Sequence, residues 1–147
     1  MSAYQEYTLD KFTFKVATDR SYTPEGVWAK AEGGRVTVGV SDFFQQRNGD
    51  VAFAEVREEG SLVAAGDEFA NIETIKVDID LSCPVSGTIS AVNERLELEA
   101  ELINEDPYGA GWIAVIEAAD WPADQANLMA SEAYFAHMKV QAQEDAE

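Results

Sequence analysis

Apolar and polar residues alternate in short runs along most of this chain, the period of strands half-buried against a core. Between Lys11 and Val16, the side chains of Phe12, Phe14 and Val16 alternate with polar neighbours and predict a strand. Asp19 to Gly26 reads as a turn region. Val27 to Ala31 and Arg35 to Val40 follow as two strands separated by Glu32-Gly33-Gly34. Glycine reaches positive φ without a Cβ penalty, so Gly33-Gly34 predicts a tight hairpin. Ser41 to Gln46 predicts a short helix, its Ser41 hydroxyl offered to the unpaired amides of the first turn and Asn48-Gly49 closing it.

From Asp50 the pattern is again short strands broken by turn residues. Val51 to Val56, Leu62-Val63, a longer extended run from Phe69 to Val77, and Thr88 to Val92 are separated by Glu58-Glu59-Gly60, Gly66-Asp67 and the Pro84–Gly87 bracket. Glu94 to Leu102 carries leucines at 96, 98 and 102, which suit either a strand or a helix. Asn104 to Gly111 reads as a loop and Trp112 to Ile116 as an apolar strand. Asp120 then predicts a helix N-cap with Pro122 tolerated in the first turn, and Leu128-Met129, Tyr134-Phe135 and Met138 are spaced to cover the body of the domain. Gln141 to Glu147 is polar and is expected to fray. The fold class is mostly β, a small barrel or sandwich, with a short helix near 41–47 and C-terminal helices.

Composition narrows the function classes. The 147 residues suffice for one domain with a proper core, 46% of them are hydrophobic, and no apolar run approaches the ~20 residues of a membrane span. Met1-Ser2-Ala3-Tyr4-Gln5-Glu6 has neither the basic region nor the apolar core of a secretory signal, and Cys83 is the lone cysteine, so a cytoplasmic location is expected. Ten basic against twenty-eight acidic side chains leave a formal charge of −18, which repels phosphate backbones and argues against a nucleic-acid partner.

Most familiar catalytic arrangements find no support. His137 is the single histidine, which rules out a histidine metal cluster or a triad drawing on several histidines, and Cys83 reads as a small buried thiol. Asp78-Ile79-Asp80 starts like a calcium loop, but Cys83 and Ile89 stand where glycine and glutamate are needed. No glycine-rich loop leads into a lysine and a helix, so nucleotide binding is unsupported. Lys76 stands out instead. It is the only basic residue between Arg57 and Arg95, in an interval that holds Glu58, Glu59, Asp67, Glu68, Glu73, Asp78, Asp80 and Glu94.

The frame around that lysine, Gly60, Val63 and Gly66-Asp67 before Glu73-Thr74-Ile75-Lys76 and Pro84-Val85-Ser86-Gly87 after it, resembles the lipoyl and biotinyl carrier domains. Val38 to Phe44, Gly49 to Val56, Glu73 to Val77 and Leu102 to Trp112, in that order, are similar to the H protein family of the glycine cleavage system. The likeness runs from about Tyr22 to Met138. It implies a single non-catalytic carrier domain over 1–147, a flattened barrel-sandwich hybrid with its core at about 22–117 and a C-terminal helical segment at 120–141. It also implies lipoate attached covalently to Lys76 at a hairpin tip, with Glu73 and Asp80 helping the attaching enzyme to recognise the hairpin. Biotinyl lysines normally lie between methionines, whereas Ile75 and Val77 flank this one, so the resemblance favours lipoate.

One departure bears on the pathway. Glycine-cleavage H proteins carry a His-Glu-Trp-Val stretch where this chain reads Gly26-Val27-Trp28-Ala29, which removes polar groups near the loaded arm. The wording of Gly49 to Glu55, of Glu73 to Asp78 and of Asp120-Trp121 to Tyr134-Phe135 looks closer to the H-protein-like lipoate-binding proteins of sulfur-oxidising prokaryotes. That likeness implies partnership with a heterodisulfide-reductase-like complex and dihydrolipoamide dehydrogenase, and it is the preferred expectation. The alternative partners are glycine decarboxylase and aminomethyltransferase. An unmodified H-like docking module is the third reading.

Overall fold

The computed structural model describes residues 3–147. It begins with a hairpin of β1 (Tyr4–Leu9) and β2 (Phe12–Ala17), which form a two-stranded sheet of their own. β2 matches the alternation read from Phe12 to Val16, whereas β1 was not foreseen. Its residues alternate between exposed and half-buried, so no apolar face marks it in the sequence. β3 (Ser21–Tyr22) lies inside the expected turn region, and β4 (Val27–Glu32) and β5 (Arg35–Val40) form the expected hairpin, with Glu32 opposite Arg35. In α1 (Asp42–Asn48), the Ser41 hydroxyl accepts from the Phe44 amide at 3.1 Å and the Gly49 amide donates to the Gln45 carbonyl at 3.1 Å, as a capped short helix requires.

β6 (Val51–Val56) and β7 (Leu62–Val63) agree with the sequence pattern. The extended run expected from Phe69 to Val77 does not hold as one strand. β8 (Glu68–Thr74) turns at its end and β9 (Asp78–Ser82) returns antiparallel beside it, with Glu73 opposite Asp78. β10 (Gly87–Val92) follows. The open segment proves helical: a single 3-10 turn at Glu94–Glu97, capped by the Asn93 side chain, and then α2 (Leu102–Glu105), which takes Asn104 and Glu105 out of the expected loop. Leu96 is buried while Leu98 is open to solvent, so neighbouring even positions do not share a face as a strand would demand.

β11 (Ala114–Ala118) begins two residues after the predicted start. α3 (Trp121–Gln125) has the Asp120 cap and early Pro122 read from the sequence, and α4 (Ser131–Asp145) carries the chain almost to its end. The expectation of a frayed tail from Gln141 fails. Ala142 is buried and Arg47 Nε lies 3.0 Å from Asp145 Oδ2, so the last turns of α4 are held by the body of the molecule.

Six strands form one sheet in the order β3-β4-β5-β11-β10-β7, and β6-β8-β9 form another. The protein is mostly β, and its sheets are open. Val36, Val38, Phe69, Ile72, Leu81, Ile89 and Ile116 belong to the main apolar core. A second cluster, with Phe14, Val16, Trp28, Phe43, Tyr134 and Met138, joins the β1–β2 hairpin, α1 and α4. β4 serves both: Val27 and Ala29 enter the first cluster and Trp28 the second, because alternate residues of a strand point to opposite faces. A strand buried on both sides needs no polar face, which explains why this stretch shows no polar alternation.

Candidate functional site

Lys76 sits at the tip of the β8–β9 hairpin, exposed, between Ile75, which is 75% exposed, and Val77. Tight two-residue hairpin turns commonly use glycine or asparagine at positive φ, yet among the described residues Asp10 is the only non-glycine with positive φ. Thr74 supplies the turn by other means. Its hydroxyl accepts from the Lys76 amide at 3.1 Å and the Val77 amide at 3.0 Å, while its own amide donates to the Val77 carbonyl at 2.8 Å. A side-chain oxygen thus takes the place of the backbone carbonyl, as in a serine/threonine turn. The absence of glycine and the presence of an inconspicuous threonine explain why the sequence pattern reads straight through the tip.

The tip is fastened from below. The Ile75 amide donates to the Asp50 carbonyl at 3.2 Å, and Asn104 holds the neighbouring segment, its Oδ1 accepting from the Val51 amide at 2.8 Å and its Nδ2 donating to the Gly49 carbonyl at 3.0 Å. Thr74 and Asn104 were both missed as site residues. The threonine two positions before the lysine was a usable signal, whereas nothing near Asn104 in sequence points to a segment 53 residues away.

The two acids singled out beside Lys76 lie on the same hairpin. Glu73 faces Asp78 across the strands, and Asp80 faces Asn71. Asn71 Nδ2 donates to Asp78 Oδ1 at 2.6 Å and to Asp80 Oδ1 at 2.7 Å, so one amide gathers two carboxylates. Like charges placed opposite each other across a strand pair cost stability, and the Glu73–Asp78 register accepts that cost next to the tip. Farther down, the charge of Asp80, with a smaller contribution from desolvation, pushes the Glu68 carboxyl above its ordinary value. The Lys76 amine makes none of the ion pairs formed among the described residues. An exposed amine with apolar neighbours on a rigid tip is suited to acylation by an enzyme that reads the hairpin.

Other candidates take structural roles. Cys83 is 2% exposed, its Sγ donates to the Val85 carbonyl at 3.1 Å, and burial pushes the thiol up to about 11. His137 Nε2 lies 3.1 Å from the Pro24 carbonyl at the surface. At Gly26 the backbone has φ +97°, and a Cβ there would come within 3.1 Å of both Ser41 Oγ and Tyr134 Oη. Those two hydroxyls are 2.7 Å apart and hydrogen-bonded, so tyrosine and serine fill the space beside the glycine. Trp28 Nε1 donates to the Val40 carbonyl at 2.9 Å and the Pro107 carbonyl at 3.1 Å. Among the described residues no group of three or more His, Cys, Asp or Glu side chains is placed to hold a metal ion, and no helix is long and apolar enough to cross a membrane.

Comparison with known proteins agrees with this geometry. Residues 20–141 match the family described as Glycine cleavage H-protein. The chain is 41% identical over 134 residues to Glycine cleavage system H protein 4 of Aquifex aeolicus, covering 91% of this chain and 78% of that protein. It is 43% identical over 116 residues to the Glycine cleavage system H protein of Salinibacter ruber, covering 79% and 93%. The crystal structure of a glycine cleavage system H protein from Mycobacterium marinum superposes with a TM-score of 0.74 at 30% identity, covering 81% of this chain and 95% of that one. The chain belongs to the glycine cleavage H-protein family, whose members are non-catalytic proteins that carry lipoate covalently on a lysine.

Proposed function

We propose that this protein is the lipoyl carrier of a glycine cleavage system, with lipoate amide-linked to Lys76. The observation that carries the reading is an exposed lysine on a hairpin tip braced by Thr74, within a match to the H-protein family that spans 20–141. When bound, lipoate supplies a strained cyclic disulfide that opens and closes readily. The protein's own part is to hold the amine clear of the sheet, so that the arm's length sets the effective concentration at each partner's active site. Glu73 and Asp80, with Asp78, give the hairpin a charged face by which a lipoate-attaching enzyme would recognise it. Glycine decarboxylase, aminomethyltransferase and dihydrolipoamide dehydrogenase are the partners that fit, in the cytoplasm, with residues 1–147 acting as one carrier domain.

The names of the relatives move the pathway away from sulfur oxidation, which the motif wording had favoured. One observation still speaks for a heterodisulfide-reductase-like partner: the space beside Gly26, where H proteins place a histidine, is closed by Ser41 and Tyr134. Native protein with a lipoyl mass increment on the Lys76 peptide, lost in Lys76→Arg with unfolding unchanged, is the expected result. Reconstituted glycine decarboxylation that depends on the lipoylated protein separates the two pathways, and its failure with fully lipoylated chain would favour the sulfur partner. A native protein that no lipoate ligase can modify would leave only the docking-module reading.

A further inference from the structure

On β6 one large apolar side chain faces away from the core against the phase in which its strand begins. Val51 is buried, so plain alternation would turn Ala52 outward and Phe53 inward. The register slips instead: Val51 stands opposite Thr74 and Phe53 opposite Glu73, which leaves Ala52 as an extra residue between them. A bulge of this kind re-aims the side chains that follow it. Phe53 ends 64% exposed and in neither apolar cluster, while Ala54 and Val56 pack against the main core. A phenylalanine ring in water forgoes the stabilisation that burial would give it, and nothing else in this fold recovers it.

The neighbours of the ring are carboxylates. Phe53, Glu73 and Asp78 stand in one row across the sheet, and Glu55, Asn71 and Asp80 form the next. Glu73 is three residues from Lys76, so the first row begins within about 10 Å of the tip. Between Asp50 and Ser82 the chain carries nine acidic residues and two basic ones, Arg57 and Lys76. Residues 1–47 carry six of each, so none of the net charge comes from them.

We propose that Phe53 is the anchor by which the lipoate-attaching enzyme grips this hairpin, its ring entering an apolar pocket rimmed by lysine and arginine. The proposal rests on the carrier reading above. Partners of the loaded protein meet the end of a long arm and can dock at a distance from the tip. An enzyme that acylates the bare amine has only the lysine stem for reach, so its surface must close over the tip and the row beside it. The acylation joins the Lys76 amine to a lipoyl acyl adenylate, with the nucleoside monophosphate and a proton leaving. A large ring among carboxylates matches a basic-rimmed pocket, the ring supplying burial and the charges orientation.

The test follows intact mass with time at a series of acceptor concentrations, using the full chain, a lipoate ligase, ATP and lipoate. Phe53→Ser should raise the KM for the chain at least about tenfold with kcat within about twofold, the mark of lost binding rather than lost chemistry. Phe53→Leu, still apolar, should recover most of that loss. Glu55→Gln should raise KM less and flatten its rise with salt. Leu62→Ser is the control: Leu62 is 78% exposed on β7 of the other sheet, and its removal should change neither constant. A parent-like KM in Phe53→Ser, or an equal rise in Leu62→Ser, would overturn the anchor and leave the carrier reading standing. Normal lipoylation of Phe53→Ser, followed by a raised KM of the lipoylated variant in glycine decarboxylation, would overturn the assignment to the attaching enzyme and move the anchor to the decarboxylase. A parent chain that never gains the lipoyl mass would overturn both readings.

Discussion

Thr74 shapes the tip that presents Lys76, because its hydroxyl oxygen accepts from both the Lys76 and the Val77 amides. Thr74→Val keeps the shape and removes the acceptor, so a loss of about 1–2 kcal/mol in unfolding free energy is expected, with slower lipoylation by intact-mass time course. Thr74→Ser should restore both. Cys83 gives an independent check on burial. A thiol pushed up to about 11 holds roughly a hundredfold less thiolate near neutral pH than an ordinary cysteine, so alkylation of native protein should be far slower than in urea. Alkylation at equal rates in both conditions would mean that the thiol is reachable in the fold.

At the level of elements, α4 is the device that closes the second core. Its Tyr134 ring stacks on Tyr22 with centroids 4.4 Å apart, and its hydroxyl bonds Ser41 at the start of α1. Ser41 keeps its capping bond to Phe44 without the tyrosine, so Tyr134→Phe should cost only about 1 kcal/mol in a denaturant titration. The same contact governs the glycine at 26. Gly26→His restores the residue type that H proteins carry, but at φ +97° and against the tyrosine hydroxyl it should destabilise the protein by more than about 1 kcal/mol. Combining it with Tyr134→Phe should recover part of that loss. A Gly26→His chain as stable as the parent would show that the space beside this glycine is easily vacated.

Across the whole molecule the charge of −18 sets the response to solution conditions. Self-repulsion on such a surface is screened by salt, so the melting temperature should rise between about 0.05 and 0.5 M sodium chloride, where the Debye length falls from above 10 Å to below 5 Å. The acidic hairpin adds a pH effect of known sign. Glu68 is raised above its ordinary 4.5 by Asp80, so between those two values the native state binds more protons than the unfolded one. Stability from this group is therefore lost as pH rises through the raised value and regained below 4.5. Glu68→Gln should stabilise the protein at neutral pH and give no advantage at acid pH, as read from melting temperatures across a pH series.

The sequence by itself determined what depends on neighbours a few residues apart: the Gly33-Gly34 hairpin, the caps at Ser41 and Asp120, the alternation of the strands and the isolation of Lys76 among acids. It also carried the family likeness, since the motifs are contiguous. Only the tertiary structure decided the features that join distant segments. The tip at Thr74 folds back without a glycine to announce it, and Asn104 holds the segment beneath the tip through Val51, 53 positions away. β4 is buried on both faces because Trp28 enters the second core with Arg20 and Tyr108 against its ring, and the polar end of α4 stays helical because Arg47 and the second core hold it. A cavity beside Lys76 exists because the β1–β2 turn, α1 and the last turn of α4 meet there. Hydrophobic periodicity reports whether a residue is buried, not what buries it, and that is why the lysine was legible and its surroundings were not.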